Sequence, residues 1–398
     1  MNTLEVFYGE ERVGTLAQFR GGIFFEYAAS FGATGNELSP LALPLGSGIR
    51  SRDTVSTMRL PGLFEDSLPD SWGTRVMDDW FRQQGTPAHA VDPLMRLSFI
   101  GRRGFGALVY APAAGLDSAQ GTLATVYAAA AHLEEGTQTD LALLADVGTS
   151  PGGARPKVAL WFNPSMAGIA HEHDAEHSAA WLVKFDTTAE RGLGRMEFAY
   201  SLMARAAGIE VPETRLLETR HADEVREHFA VRRFDRVGAA RLHYHSLAGM
   251  CQALGSDLDY QTLLRVTRRI TRDHAEVLRA YRRAVFNVLA SNRDDHGKNH
   301  GFLYVAKEWR LSPAFDLTFA GGGQLRERGM AVMGERANAG RAHLEALARA
   351  EGIERQEVQA TFDAVRAAIA RWPEFAALAG LPGRQADEIS AALSATDR

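Results

Sequence analysis

Acidic and amide side chains are concentrated at 291–303, in the stretch SNRDDHGKNHGFL between an apolar helix and an apolar strand. Asp294 and Asn299 have the D-x-x-x-x-N spacing that phosphotransfer loops use to place a base beside a metal-binding amide. Asp316 follows a predicted hairpin, in SPAFDL. Mg²⁺ prefers oxygen ligands and is usually held by one or two carboxylates together with substrate phosphates. Asp294 as a base, with Asn299 and Asp316 as ligands, is therefore a coherent set for phosphoryl transfer.

The same residues have a purely structural alternative. NRDDHGKN could be a polar loop with a turn at Gly297, and Asp316 could cap the next segment. Asp295, directly after Asp294, leaves open which carboxylate is the base, although the spacing to Asn299 favours Asp294. The order and spacing of the motifs together favour phosphoryl transfer.

A glycine-rich stretch, GTSPGGARPK at 148–157, suits a loop whose N–H groups approach a phosphate chain, but it does not have the Walker spacing. Lys184 ends the apolar run AAWLVK, where an unpaired ammonium group would be costly. Its partner could be a nucleotide phosphate or Glu197 on the next predicted helix. Alternatively, Lys184 lies at the end of the strand and reaches water.

The stretch AVRRFDR at 230–236 lies between the last predicted strand of this unit and the helical part, where a hinge between two lobes is expected. Such hinges hold adenine through backbone groups, so the side chains there are weakly constrained. Asp235 could reach a ribose hydroxyl, or it could pair with Arg233 or Arg236.

Hydrophobic periodicity predicts the elements that position these residues. The first 112 residues contain predicted strands at 4–9, 11–19, 22–31 and 104–113 and a helix at 67–85, and a linker follows at 111–122. The next unit contains predicted strands at 158–163, 179–188, 213–219 and 228–234 and one helix at 196–212. After residue 239 the pattern is mostly helical, interrupted only by two short strand-like runs within 301–313.

Length and composition set the outer limits. The chain has 398 residues, 45% of them hydrophobic and 23% charged, which predicts two or three compact units of a soluble globular protein. Its net charge of −5 argues against coating nucleic acid by bulk electrostatics. Cys251 is the only cysteine, which excludes an internal disulfide framework and fits a reducing compartment. No secretory leader or membrane-spanning run is recognised, so we expect a cytoplasmic protein without membrane partners.

Eight ordered motifs resemble those of HipA-family serine/threonine protein kinases, the toxins of bacterial toxin–antitoxin pairs: FEDSLPDSWG, GRRGFGALVY, SPGGARPK, WLVKFD, RFDR, MCQALG, DDHGKN and SPAFDL. The resemblance covers nearly the whole chain. It implies an α+β, two-lobed protein-kinase-like fold, with a mixed α/β N-terminal part that includes an ATP-binding sheet and a mostly α-helical C-terminal lobe. The implied units are an N-terminal α/β subdomain at 1–112, an ATP-binding lobe at 113–238 and a helical catalytic lobe at 239–398.

The resemblance also implies roles for individual residues. Asp294 would be the catalytic base, Asn299 and Asp316 would hold Mg²⁺, and Lys184 would contact the ATP phosphates. The remaining implied nucleotide contacts come from the glycine-rich loop, the hinge and the two acidic motifs: Gly152, Gly153, Ala154, Arg155, Pro156, Lys157, Arg232, Arg233, Phe234, His296, Gly297, Lys298, Asn299, Phe315 and Asp316.

Members of the resembling family transfer the ATP γ-phosphate to an aminoacyl-tRNA synthetase, typically the glutamate enzyme, and so arrest translation. They also phosphorylate a serine in their own glycine-rich loop, and Ser150 matches that position, with Thr149 as the neighbouring alternative. A phosphoserine there would silence the enzyme by repelling the triphosphate. Their partner is a small helix-turn-helix antitoxin that binds operator DNA, so DNA would be reached through or together with the antitoxin.

Two positions depart from the family pattern, since Arg232 stands where relatives usually carry an acidic residue and Asp295 where they carry a small one. A lipid or small-molecule kinase and a non-catalytic co-repressor remain as alternative functions. The arginines of 265–283 could form a basic face or a solvated helix surface. HEHDAEH at 171–177 is interpreted as a solvated turn, and GRRGFG at 101–106 as a turn that enters a strand.

Overall fold

A computed structural model describes residues 3–51, 60–69, 71–115, 121–137, 139–147, 155–162, 169–170, 178–187, 192–221, 224–254, 257–321 and 325–396. Strands alternate with short helices in the first part of the chain, sheet and helices are mixed in the middle, and helices dominate after residue 246. None of the helices in this described part combines the length and apolar content needed to span a bilayer.

The N-terminal unit is an antiparallel sheet covered by helices. Its elements are β1 (Thr3–Tyr8), β2 (Glu11–Phe19), β3 (Gly22–Tyr27), α1 (Ala29–Gly32), β4 (Ile49–Ser51), α2 (Gly62–Glu65), α3 (Ser71–Gln83), α4 (Pro93–Ile100) and β5 (Leu108–Ala111). The strand order is β4-β3-β2-β1-β5. Alternate residues such as Leu4 and Val6 are buried, as the period of two along a half-buried strand requires. The predicted strands are therefore present, whereas α1, α2 and α4 are not predicted by the periodicity.

The middle unit is a second antiparallel sheet of order β7-β6-β8-β10-β9. Its elements are α5 (Leu123–Glu135), α6 (Leu141–Asp146), β6 (Lys157–Phe162), β7 (Ile169–Ala170), β8 (Ala179–Lys184), α7 (Leu193–Ala206), β9 (Thr214–His221) and β10 (Glu224–Arg232). The prediction of a single helix in this unit is wrong, because α5 and α6 precede the sheet. A capping box between Thr122 and Thr125 begins α5 directly after the predicted linker.

The C-terminal lobe holds a small sheet of order β13-β14-β15 among helices. Its elements are β11 (Arg236–Val237), β12 (Ala240–Arg241), β13 (His243–Ser246), α8 (Leu247–Cys251), α9 (Tyr260–Thr271), α10 (His274–Leu289), β14 (Gly301–Val305), β15 (Glu308–Leu311), α11 (Arg341–Ala350), α12 (Arg355–Ala370), α13 (Trp372–Leu378) and α14 (Gly383–Thr396). The predicted hairpin is present as β14 and β15, and β13 is a third strand that the sequence analysis misses.

One hydrophobic cluster extends from the N-terminal sheet, through α7, to the helices of the C-terminal lobe. It contains Leu4 and Phe25 from the sheet, Tyr200 from α7, and Val285 and Trp372 from the helical lobe. A second cluster joins α3 and α5 to the middle sheet. The predicted unit boundaries at residues 112 and 238 stay predictions, but the core does not stop at them.

Buried polar contacts also join the N-terminal unit to β13. Asp66 accepts hydrogen bonds from Nδ1 of His245 at 2.6 Å and from both the amide and the hydroxyl of Ser246, each at 2.6 Å. Nε2 of His245 pairs with the hydroxyl of Ser39 at 2.9 Å. Burial alone would raise the pKa of Asp66, but the contacts with His245 and Ser246 outweigh it and lower the pKa. A fully bonded carboxylate thus fixes α2 against the strand.

A second buried junction surrounds Asp235. Its carboxylate accepts hydrogen bonds from Nη2 of Arg233 at 2.7 Å, from Nη1 of Arg236 at 2.6 Å and from the amide of Gly106 at 2.7 Å. Both arginines also donate to the carbonyl oxygen of Gly104, at 3.0 and 2.9 Å. Asp235 is fully buried, so the structural pairing considered for it is present and the ribose contact is wrong. The segment after β10 is therefore held by the N-terminal unit.

Candidate active site

A cleft that is partly open to solvent lies where the middle sheet, the C-terminal lobe and the N-terminal unit meet. Its apolar walls include Leu182 and Val231 from the sheet and Phe315 and Leu317 from the C-terminal lobe. Charged groups line its inner end. The residues that the sequence analysis places at a nucleotide site and that line this cleft are Lys184, Arg232, Arg233, Phe234, Lys298, Phe315 and Asp316.

Lys184 lies at the end of β8 and is the central cation of the cleft. Its ammonium group donates to Oε2 of Glu197 at 2.6 Å and also to Oδ1 of Asp316. Burial alone would lower the pKa of Lys184, but the carboxylates of Asp316 and Glu197 outweigh it and raise the pKa, so the group stays charged. The pairing with Glu197 that the sequence suggests is present, and Lys184 does not extend to water, since only 7% of it is exposed.

Glu197 reaches the cleft because α7 packs against the middle sheet and its first turns face β8. Gly192, at the N-cap of α7, has a φ of 112°, a conformation that glycine adopts without strain. The helix therefore begins at Leu193, three residues before the predicted start. Arg155 also pairs with Glu197, so this carboxylate holds cations from two sides.

Lys157 brings a second buried ammonium group to the same region. It pairs directly across the strands with Lys184 in the β6–β8 register and is only 1% exposed. Its charge helps to lower the pKa of Asp316. Three basic residues thus lie close to the carboxylates of Glu197 and Asp316. They are Arg155 just before β6, Lys157 on β6 and Lys184 on β8.

Asp316 lies between the lobes in an unusual backbone conformation. Its φ is 56°, in the left-handed region that a non-glycine residue adopts only when its surroundings impose it. Burial alone would raise the pKa of Asp316, but Lys184 and Lys157 outweigh it and hold the pKa well below its usual range. The carboxylate of Asp316 is therefore ionised at physiological pH.

The loop that carries Asp294 begins where α10 ends and leads into β14 through a short 3₁₀ turn, Gly297–Asn299. The side-chain amide of Asn299 donates to the carbonyl oxygen of Asp294 at 2.8 Å. Partial desolvation raises the pKa of Asp294, and the charges of Asp316 and Asp295 add to this against an opposing effect of His296. A raised pKa makes a carboxylate a better proton acceptor for a hydroxyl group.

The two neighbouring aspartates have different surroundings. Asp294 is exposed, and the structure gives its carboxylate no hydrogen bond from the described residues. Asp295 is 1% exposed, and it accepts hydrogen bonds from the hydroxyl of Tyr260 at 2.6 Å and from Nη1 of Arg328 at 2.7 Å. Of the two carboxylates that the sequence leaves open, only that of Asp294 is accessible to a reactant.

The residues predicted to hold Mg²⁺ fit that ion. The side-chain oxygen of Asn299 is buried and has no hydrogen-bond partner among the described residues, because its amide nitrogen makes the contact with Asp294. A buried oxygen without a donor is suited to a cation. Together with the ionised Asp316, it offers the hard oxygen ligands that Mg²⁺ prefers. Within the described residues no group of three or more histidine, cysteine or acidic side chains forms a separate metal cluster.

Several predicted residues fall outside the described part of the chain. They are Thr149, Ser150, Gly152, Gly153 and Ala154 of the glycine-rich loop and the HEHDAEH stretch at 171–177. Pro156 is described and precedes β6, and its carbonyl oxygen accepts the amide of Phe185 at 2.8 Å. Of the Asp294 loop, Lys298 lines the cleft, whereas Asp294, His296, Gly297 and Asn299 do not. Arg155, Pro156 and Lys157 do not line it either.

The N-terminal unit contributes cleft residues that the sequence analysis misses. Phe105 lines the cleft and packs edge-to-face on Phe234 and Tyr244, with ring centroids 5.3 and 5.0 Å apart. Glu65 and Asp66 also line it. The GRRGFG stretch, interpreted as a simple turn, is thus part of the cleft wall. Its only sequence signal is an aromatic residue between two glycines.

The arginines of 265–283 have different surroundings. Arg265 and Arg268 pair with the buried Glu351, Arg279 pairs with Glu210 and Glu276, and Arg283 is 3% exposed. These contacts give several arginines of the run intramolecular partners, whereas Arg269 and Arg272 are exposed, and a basic face at this run stays a prediction.

Comparisons with known families agree with this architecture. The model of the HipA N-terminal domain matches residues 4–111, and the model of the HipA-like C-terminal domain matches residues 149–372, more than half of the chain. The chain belongs to the HipA family. The predicted family is therefore confirmed.

Two curated relatives of this HipA-family chain come from Sinorhizobium fredii. The protein named "Putative kinase Y4dM" is 30% identical over 184 residues, which are 42% of this chain and 44% of that protein. The protein named "Putative kinase Y4mE" is 30% identical over 131 residues, 29% of this chain and 30% of that protein. The chain thus spans less than half the length of the curated relatives it matches.

A solved structure has the same fold over nearly the whole length. It is the Shewanella oneidensis MR-1 toxin–antitoxin complex of HipA, HipB and operator DNA. The superposition covers 98% of this chain and 95% of the matched chain, with a TM-score of 0.72 and 18% sequence identity. The predicted α+β, two-lobed kinase-like fold is confirmed.

Proposed function

We propose that this HipA-family protein is an ATP-dependent serine/threonine protein kinase and the toxin of a toxin–antitoxin pair. The observation that carries the proposal is the position of the Lys184 ammonium group between the carboxylates of Glu197 and Asp316 at the inner end of an apolar-walled cleft. This is the lysine, helix-glutamate and acidic-ligand combination that kinases use to hold ATP phosphates.

Different groups at the cleft would serve nucleotide binding and the chemical step. Its apolar walls suit a flat heterocycle, with the backbone of Arg232, Arg233 and Phe234 at the edge. Lys184 and Lys298 line the cleft and would contact the phosphate chain, and the buried Lys157 adds positive charge beside Asp316. Asn299 and Asp316 would hold Mg²⁺, which supplies charge neutralisation at the phosphates. Asp294 accepts the proton of the attacking hydroxyl, so that the oxygen bonds to the γ-phosphorus and ADP leaves.

We propose that the acceptor is a protein hydroxyl, on an aminoacyl-tRNA synthetase and foremost the glutamate enzyme, and that Ser150 is a site of self-inactivating phosphorylation. A HipB-like helix-turn-helix antitoxin is the proposed partner, supported by the HipB and operator DNA present in the Shewanella complex. DNA contact would then come through or together with the antitoxin. A cytoplasmic site of action follows from these partners.

Radiolabel transfer from ATP tests the proposal. Asp294→Asn should abolish label incorporation into protein, since the amide cannot accept the proton, while calorimetry still detects ATP binding in the presence of Mg²⁺. Asp387→Asn, an exposed aspartate on α14, is the matched control and should keep wild-type incorporation. Unchanged incorporation in Asp294→Asn would refute the base assignment. Label recovered in a lipid or metabolite instead of protein would refute the protein-kinase assignment.

A further inference from the structure

The segment 325–336, which follows Asp316 in the chain, lies directly on the Asp294 loop. Nη1 of Arg293, the residue before Asp294, donates to the carbonyl oxygens of Leu325 and Arg326 at 3.1 and 2.6 Å. The amide of Gly329 donates to the carbonyl oxygen of Arg293 at 2.9 Å. Hydrogen bonds therefore run in both directions between the loop and residues 325–336, which we call the support segment.

Asp295 is the buried centre of this contact. One carboxylate oxygen accepts from Tyr260 and from Arg328, and the other accepts from the amide of Gly329 at 3.0 Å. The hydroxyl of Tyr260 in turn accepts from the side-chain amide of Asn287 on α10 at 2.9 Å. The carboxylate therefore ties together α9, α10, the support segment and the loop. We call Asp295, Tyr260, Arg328 and Gly329 the Asp295 cluster.

The backbones of the loop and the support segment touch without a side chain between them. A Cβ atom added to Gly329 would lie 2.8 Å from the amide nitrogen of His296, closer than real Cβ atoms approach. Any larger residue at position 329 would therefore displace the segment from the loop while leaving every charge in place.

The support segment contains no residue that could carry a phosphate on oxygen. Residues 319–340 include no serine, threonine or tyrosine, and Thr318 is the only such residue between Asp316 and Gly340. In many protein kinases the corresponding segment is ordered by phosphorylation, through pairs of arginine with the new phosphate. Here Arg293 contacts main-chain oxygens and Arg328 contacts Asp295, so both arginines have permanent intramolecular acceptors.

We propose that the Asp295 cluster is a permanent support that holds Asp294 in its working position without any activating phosphorylation of residues 317–340. Asp295 and Arg328 are then positioning residues, which act on the reaction through the loop. This inference rests on the proposed kinase function. It also explains why an acidic residue stands beside Asp294 in this chain, because Arg328 requires it.

The test measures ADP formation from Mg-ATP, with water as the acceptor, together with amide hydrogen exchange. Asp295→Asn keeps the shape of the side chain but removes the charge that holds Arg328. We expect kcat to fall about 10- to 100-fold, with KM for ATP changed less than about twofold, because a displaced base affects the chemical step and not nucleotide binding. The amides of Gly329 and Met330 should lose exchange protection. Gly329→Ala should produce the same kcat-specific loss by steric displacement alone.

Glu351→Gln is the matched control, since Glu351 is also a buried carboxylate held by two arginines of the same lobe, Arg265 and Arg268. We expect it to unfold at lower temperature than the wild type but to keep the wild-type kcat. Phosphatase treatment of the wild type should leave its kcat undiminished.

The outcomes separate this inference from the proposed function. A wild type that forms no ADP overturns the kinase proposal and this role with it. If the wild type is active and kcat is unchanged in Asp295→Asn and Gly329→Ala, only the positioning role is overturned. The same holds if kcat falls by the same factor in Glu351→Gln. Loss of activity after phosphatase treatment overturns only the independence from phosphorylation.

Discussion

Substitution of Asp235 by asparagine tests whether the N-terminal unit holds the hinge segment. The carboxylate is fully buried and receives hydrogen bonds from Arg233, Arg236 and the amide of Gly106. An asparagine side chain at this position would offer one acceptor oxygen and would point its own NH₂ group at arginine donors, and both guanidinium groups would lose their buried counter-charge. Breaking a buried ion pair in this way typically costs about 3–5 kcal/mol, and we expect a loss of that size.

Urea unfolding, followed by tryptophan fluorescence and circular dichroism, measures the loss. The matched control is Glu213→Gln, which breaks the exposed pairs of Glu213 with Arg215 and Arg232 nearby and should cost no more than about 1 kcal/mol. Burial alone would raise the pKa of Asp235, but Arg233 and Arg236 outweigh it and lower the pKa. Its contribution to stability is therefore complete above the unfolded value of about 3.9 and is lost as the pH falls through the lower folded pKa. Equal losses for the two variants at pH 7 would refute this description of the junction.

Two further predictions concern α2 and α8, which pack against each other. Gly62→Ala should destabilise the protein by about 1–3 kcal/mol or more in a thermal unfolding assay, because its Cβ would lie 2.0 Å from the carbonyl oxygen of Gly249. Gly32→Ala is the control and should be neutral in the same assay, because the space around its Cβ position is open. A neutral Gly62→Ala would contradict the close contact of α2 with α8. Burial raises the pKa of Cys251 to about 11, so alkylation by iodoacetamide at pH 8, followed by mass spectrometry, should be about a hundredfold slower in the folded protein than after unfolding in urea. Equal alkylation rates in the two states would contradict that burial.

The parts of the fold with strict periodicity could be predicted from the sequence. The alternation in β1, β2 and β3 and the spacing of apolar residues in α10 identified those elements, since each buries one face. The helix α5 was missed because LATVYAAAAHLEE is apolar on nearly all sides and has no clear period. The strand β13 was missed because its residues are HYHS. Its two buried histidines are hydrogen-bonded to partners far away in the sequence, among them Asp66 and the carbonyl oxygen of Leu38.

The same distinction applies to the site. The pairing of Lys184 with Glu197 could be predicted because a buried ammonium group requires a nearby anion and the next helix supplies one. The burial of Asp295 could not, because its partner Arg328 is 33 residues further along the chain, in a segment without periodic pattern. Phe105 was missed for a related reason, since its place in the cleft depends on how the N-terminal unit docks.

Buried polar contacts at Asp66 and Asp235 join the first hundred residues to the rest of the chain. Asp66 belongs to the first unit and its donors to β13, while Asp235 and its two arginines bind main-chain groups of Gly104 and Gly106 across the contact. A chimaera that exchanged the N-terminal unit between relatives would inherit buried polar groups facing the wrong partners. Recombination within this lineage is thus expected to preserve both halves together, as a single inherited block.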